Sequence, residues 1–286
     1  MTLVGDLATL PGAATSRADE PCSPKVVSMA SVKADPGGFP QRRLAQVPTV
    51  DAATMGQIQR AAIESYDIDI LQMMENAGRA AARLVLAMVG GRVRGQRVVV
   101  LAGGGNNGAA GLCAARHLAN WGVVVEPIFG TIEDDMSITT LRQARILRAS
   151  GVHEHRDRDT SQESLEEHLR RADVVIDALA GYGLHGPPIG IAAAATEMAM
   201  SCGSPVLALD VPTGVDSTTG QVHDLAVRAS TTLALDLPKH GTTVASARTH
   251  VGMLYLADLG IPRKVYDAFD VNVTGLFDEG PLVRLK

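Results

Sequence analysis

The sequence predicts an α/β fold, a mostly parallel sheet covered by helices on both faces, and three observations predict it. Short β-branched runs alternate with stretches of helical apolar spacing along most of the chain. Runs such as Val98-Val99-Val100-Leu101 and Val206-Leu207-Ala208-Leu209 are apolar at every position, as strands buried on both faces require. After the first of these, Gly103 to Gly108 match G-x-G-x-x-G and lead into a helical pattern carrying Leu112, Ala115, Leu118 and Gly122. Strand, glycine turn and helix together make a phosphate or nucleotide site: helix-start N–H groups hold the anion, and missing side chains let it approach. Aromatic residues are only 3% of the chain and hydrophobic residues 46%, so the core must be built from Val, Leu, Ile, Ala and Met.

Residues 1–46 mix Pro, Gly, Ser, Asp and Lys without periodicity and read as a disordered, untargeted leader. The folded domain is expected over residues 47–286. Asp51 is placed to N-cap a helix through about Tyr66, with Met55, Ile58 and Ala62 on one side. A second helix carries Leu71, Met74, Gly78, Ala81, Val85 and Met88 and stops at Gly90-Gly91. Packing against the sheet accounts for this pair, except at Glu75-Asn76. A carboxylate and an amide beside small residues suit a site or the contact of a homodimer.

Beyond the glycine turn, Val123 to Ile128 reads as a strand and Ser137 to Ala149 as a helix. Thr160 and Glu163 form a capping box for a short charged helix through Arg171. Asp173 to Leu179 is the next strand, followed by a Gly- and Pro-rich loop at 181–188 and an Ala- and Met-rich helix to about Ser201. Pro205 to Val211, Thr231 to Leu235 and Val251 to Leu256 complete the strands.

A net charge of −5 provides no footprint for nucleic acid or anionic membrane, and no apolar run is long enough to span a bilayer. Cys22, Cys113 and Cys202 have neither metal-ligand spacing nor the pattern of a disulfide framework, which favours a reducing, cytoplasmic setting. His153 and His155 sit among Glu154, Arg156 and Asp157 and read as part of a solvated loop.

In a parallel sheet the ligand sits at the carboxyl ends of the strands. Three polar sets meet there: Asn106-Asn107, then Asp177, then Asp210 with Thr213. A carboxylate closing an apolar strand is costly to bury unless it is paired or bound to a cation. One rival reading is an NAD-dependent oxidoreductase, with Glu126, eighteen residues after Gly108, as the ribose-binding acid. It leaves the two aspartate motifs unexplained and finds no downstream catalytic set.

Five segments in order carry a resemblance: Met74-Glu75-Asn76-Ala77-Gly78, the loop at Gly103–Gly108, Asp177-Ala178-Leu179 with Gly181 and Gly183, Asp210 to Asp216, and Leu237-Pro238-Lys239-His240-Gly241. Across roughly Val47 to Pro262 the chain resembles the YjeF N-terminal domain family, the NAD(P)H-hydrate epimerases. The resemblance implies a Rossmann-like three-layer sandwich and a metabolite-repair enzyme. Its substrate would be nicotinamide nucleotide hydrated at ring carbon 6, NADHX or NADPHX, whose R and S epimers it interconverts. A separate dehydratase then acts on the S form.

By position, Asn107, Asp177 and Thr213 match family ligands of a potassium ion. Asn106, Asn107, Gly108, Ala109 and Ala110 match one dinucleotide-holding segment, and Gly181, Tyr182, Gly183, Leu184, His185, Gly186 and Pro187 match the other. Asp210 matches a substrate-contacting carboxylate and is assigned proton transfer. Two departures stand out. Ala110 replaces the family Asp, which admits a binding scaffold without turnover as an alternative, and Thr213 replaces the usual Ser while keeping its hydroxyl.

Overall fold

The computed structural model describes residues 38–153 and 161–286. Among the described residues, eight strands form one sheet: β1 Gln41–Arg42, β2 Arg97–Ala102, β3 Val124–Phe129, β4 Val174–Ala178, β5 Val206–Leu209, β6 Thr231–Leu235, β7 Met253–Ala257 and β8 Leu282–Leu285. Their order is β1-β8-β7-β6-β5-β4-β2-β3, parallel throughout except where β8 runs antiparallel to β7. The helices are α1 Ala52–Tyr66, α2 Ile70–Met88, α3 Asn106–Asn120, α4 Ile138–Ala149, α5 Gln162–Arg171 and α6 Gly190–Ser201. Three short ones follow, α7 His240–Thr243, α8 Arg248–Val251 and α9 Arg263–Asp267.

Strand alternation divides the core in two. Val98, Val100 and Ala102 of β2 face the layer that includes α1, α2 and α3, whereas Val99 and Leu101 face Leu165, Leu169, Met198 and Ala199 of α5 and α6. The result is a three-layer α/β sandwich. From β2 the chain crosses through α3 to β3, then returns to the other side of β2 as β4. That reversal opens a crevice at the carboxyl ends of β2 and β4, where parallel sheets bind ligands.

Local chemistry accounts for the helix starts. The Asp51 side chain accepts from Thr54 N–H at 2.7 Å, and Met55, Ile58 and Ala62 are fully buried. Asp69 starts α2 with a capping box completed by Gln72. Helix α5 is capped by Ser161, which accepts from Ser164 N–H. The expected cap, Thr160, lies outside the described residues, as do Glu154 to Asp157 and residues 1–37 of the expected leader.

Order begins before Val47. Gln41 and Arg42 pair in parallel with Arg284 and Leu285, so β1 adds an edge strand within the segment expected as leader. The last parallel strand starts at Met253 because Arg248–Val251 is helical, and Gly252 turns between them at φ 63°. No helix among the described residues is long and apolar enough to cross a membrane.

Candidate active site

Two glycines shape the turn after β2. A Cβ on Gly103 would lie 1.9 Å from the Leu179 carbonyl oxygen, and one on Gly108 would lie 1.9 Å from that of Gly103. Any side chain there would push the turn apart from the loop after β4. Gly105 starts α3 without a side-chain cap, so the helix offers its first-turn N–H groups and its positive dipole end to an anion.

Between this turn, the loop after β4 and the first two helices lies a cavity of about 430 Å³. Asn106, Asn107, Ala110, Gly181, Tyr182, Gly183, Leu184 and Asp210 line it. Gly108 and Ala109 are buried within α3, and His185, Gly186 and Pro187 continue the loop beyond the lining residues. The opposite wall comes from Gln59 of α1, Ile70, Met73, Met74 and Ala77 of α2, and Leu259. The helix pair read as packing is therefore also a wall of the site. Asn76 joins α2 to the segment after β7 by donating to the Leu259 carbonyl at 2.9 Å.

Asp210 follows β5 in the left-handed region, φ 65°, and is 2% exposed. Its Oδ1 accepts from Lys239 Nζ at 2.5 Å, and its Oδ2 accepts from Tyr182 N–H at 3.1 Å. Lys239 is fully buried, donates also to the Leu235 carbonyl at 2.8 Å, and lies 5.4 Å from the centre of the Tyr182 ring. Such a cation–π contact supplements the ion pair. Burial and the Asp210 charge push the Tyr182 phenol up to about 12, and its hydroxyl donates to Gln59 at 2.8 Å.

Asp177, the penultimate residue of β4, is fully buried without a cationic partner among the described residues. Its Oδ1 accepts from the Thr213 hydroxyl at 2.8 Å and Leu179 N–H at 3.2 Å, and its Oδ2 from Thr213 N–H at 2.9 Å. Burial raises its carboxyl to about 6 against the lowering effect of these bonds. Asn107 donates to the Ala180 and Leu209 carbonyls at 2.7 and 3.2 Å, which leaves its Oδ1 buried without a partner. A buried anion with neutral donors only and an orphaned amide oxygen nearby fit a cation with hard oxygen preference. Asn107, Asp177 and Thr213 are joined through this network, since Ala180 N–H donates to the Thr213 hydroxyl at 3.2 Å.

A third strand-end carboxylate, Asp236 after β6, stays outside the cavity lining. It accepts from the Tyr266 hydroxyl at 2.6 Å through Oδ1, while Oδ2 has no partner, and burial raises it to about 6.

Glu126 does not serve as a strand-end acid. It lies opposite Val99 in the middle of β3 and pairs with Arg97 at 3.0 Å and His168 at 3.0 Å. The strand runs three residues further than a ribose contact would need. Lys239 is the residue that the sequence reading left without a role. A lone lysine directly after Leu233 to Pro238, a stretch apolar apart from Asp236, was its signal, but its partner lies 29 positions away.

The family model described as YjeF-related protein N-terminus matches residues 70–241. Among curated proteins, the chain is 39% identical over 240 residues to the NAD(P)H-hydrate epimerase of Dehalogenimonas lykanthroporepellens, covering 84% of this chain and 93% of the relative. It is 33% identical to the NAD(P)H-hydrate epimerase of Pirellula staleyi, covering 74% of this chain and 92% of that one. It is 32% identical to the bifunctional NAD(P)H-hydrate repair enzyme Nnr of Moorella thermoacetica, covering 76% of this chain but spanning only 41% of that longer protein. Among solved structures, yeast ynu0 superposes with a TM-score of 0.71 at 22% identity, over 84% of this chain and all of that one, which supports the fold. With a family model matched over more than half its length and relatives above 30% identity, the chain belongs to the YjeF-related protein N-terminus family.

Proposed function

We propose that the protein interconverts the R and S epimers of hydrated NADH and NADPH, with Asp210 as the proton-transfer group. The observation that carries this reading is a buried carboxylate lining the cavity, tied to a buried ammonium, between two nucleotide-type loops. The names of the relatives point to the same substrate.

Epimerisation at the hydrated carbon breaks its C–O bond and remakes it on the opposite face. Asp210 delivers a proton to the departing hydroxyl, water is released, and the conjugated ring nitrogen shares the positive charge. Water then adds from the other side and gives up a proton. Asp210 accepts that proton, and Lys239 at 2.5 Å fixes the carboxylate while keeping a proton within one transfer of it. The Tyr182 N–H holds the other oxygen, so the carboxylate is oriented at both atoms. Met73, Met74, Ile70 and Leu259 make an apolar wall that limits bulk water around the ring. The first turn of α3 would take the phosphates, with Asn106 at its start.

Asn107, Asp177 and Thr213 would hold a potassium ion. When bound, the ion supplies the positive charge that the Asp177 carboxylate lacks, and it ties the glycine turn to the segment after β5. Service to a dehydratase carried on a separate chain is part of the same reading; the longer relative is named a bifunctional NAD(P)H-hydrate repair enzyme. The test is incubation of the protein with R-NADHX, with the epimers resolved by chromatography. Approach to the same epimer mixture from either side supports the reading. An unchanged epimer ratio with intact nucleotide binding favours a scaffold, as Ala110 in the lining would suggest.

A further inference from the structure

The contact between α2 and α3 holds a second polar cluster, away from the cavity. Glu75 of α2 meets three residues of α3. Its Oε2 accepts from the Cys113 thiol at 3.3 Å and from Arg116, and its Oε1 lies 2.8 Å from His117 Nε2. Arg116 also donates to Cys113 Sγ at 3.4 Å, and Arg79 pairs with Glu75 at 3.7 Å. Cys113 and His117 share one face of α3 because they are four residues apart. Gly78 lets the helices close here: a Cβ at that position would lie 2.6 Å from the Cys113 Cβ.

We propose that Glu75, Cys113 and His117 form a binding site for a divalent transition-metal ion of zinc type, stapling α2 to α3. One donor atom from each lies within 4.8 Å of the other two. Zinc takes sulfur, imidazole nitrogen and carboxylate oxygen together, and its bond lengths place neighbouring ligands of a tetrahedron about 3.3–3.7 Å apart. The observed separations are 3.3 and 2.8 Å, with Cys113 to His117 within 4.8 Å, close to that spacing before any ion draws the three groups in. Cys113 is fully buried and His117 is 7% exposed, whereas the Glu75 side chain is 37% exposed, which leaves an entry path from solvent.

The ion must displace Arg116, which donates to both Glu75 and Cys113 in its absence, while Arg79 stays 3.7 Å from Glu75. Arg116 is held there imperfectly, since its Nε is buried without a partner, and its side chain is already 21% exposed. On ligation the Cys113 S–H bond breaks, the proton leaves to solvent, and the thiolate becomes a metal ligand. Burial and the nearby Glu75 charge push the uncomplexed thiol up to about 12, so it stays protonated until metal arrives. This site is independent of the proposed epimerase reaction.

Cobalt(II) replaces zinc as a visible probe, in the full chain with Cys22→Ser and Cys202→Ser so that Cys113 is the remaining thiol. The expected result is a thiolate-to-cobalt charge-transfer band that saturates at one ion per chain and disappears on adding zinc. His117→Gln and Glu75→Gln should each weaken or abolish it, while Arg116→Gln should bring saturation at lower cobalt. Zinc should also raise the melting temperature of the unaltered chain but not of Cys113→Ser. The proposal is overturned by the absence of the band, or by a band that persists undiminished in His117→Gln and Glu75→Gln. It is equally overturned if zinc leaves the melting temperature unchanged while Arg116→Gln merely lowers it, the behaviour of a plain ion-pair cluster.

Discussion

Asp177 and Asp210 close adjacent parallel strands, are both buried, and belong to one network, yet they are held in opposite ways. Asp210 has a lysine from its own chain at 2.5 Å, while Asp177 has only a hydroxyl and two backbone N–H groups. An internal ammonium both neutralises a carboxylate and carries protons. Neutral donors do neither fully, and the Asp177 carboxyl is left raised to about 6. The difference suggests a division of labour: one aspartate suited to chemistry, its neighbour suited to an ion from solution.

The sharpest way to break the comparison is Asp210→Asn. The amide keeps the shape and loses acid–base function, so epimerisation should fall by ~10²–10⁴-fold with nucleotide binding retained. Turnover of R-NADHX checks the first outcome and a binding titration the second. An undiminished rate would remove Asp210 from the chemistry.

Lys239→Met tests the other half of the pair. Removing the cation leaves Asp210 buried and unpaired, so stability to urea should drop by about 3–5 kcal/mol. The double variant with Asp210→Asn should regain much of that loss, because two neutral groups no longer oppose burial. Additive losses would show that the two side chains are not coupled.

For Asp177 the counterpart of Lys239 is potassium. At about 100 times its dissociation constant, the ion should stabilise the fold by ~2.7 kcal/mol relative to tetramethylammonium. Thermal melts in the two salts measure the difference, and Asp177→Asn should erase it. Equal melting temperatures for the unaltered chain would leave the aspartate with its neutral donors alone.

Asp236 extends the comparison to a third strand end. Its folded carboxyl is raised to about 6 by burial, above its unfolded value. The stability it contributes is therefore complete below the unfolded value and is lost as pH rises through about 6. In saturating potassium, unfolding free energy should decline by about 2–3 kcal/mol between pH 4 and pH 7 on its account, at ~1.4 kcal/mol per pKa unit. Asp236→Asn should flatten that part of the profile, and a profile identical to the parent would contradict the assignment.

Much of this arrangement was legible in the sequence because it rests on local pattern. Asp51 with Met55, Ile58 and Ala62 encodes both the cap and the buried face of α1. The apolar strands ending in Asp177 and Asp210 announce the carboxyl edge without any tertiary information. What escaped depends on distant partners. Gln41-Arg42 has no apolar alternation and becomes a strand only because β8 offers its edge. Glu126 has the right spacing for a ribose acid, but the length of β3 and the neighbours Arg97 and His168 decide its place. Met74 read as packing yet lines the cavity, and its unread neighbour Met73 serves both the core and the cavity wall.

The backbone twist at residue 210 determines which substitutions can be read there. At φ 65° a side chain costs ~1–2 kcal/mol unless it is Gly, Asn or Asp. A saturation library at this codon should therefore split into three groups rather than two. The Asn variant, which keeps an acceptor for Lys239, should fold and lack turnover, the aspartate alone should turn over, and valine, isoleucine or threonine variants should be depleted before activity is ever assayed. Even glutamate, the nearest chemical relative, inherits the backbone penalty, so its failure would say little about the reach of its carboxylate. A screen that scores only activity would merge the first and third groups. Scoring abundance alongside separates the demand of the turn from that of the reaction.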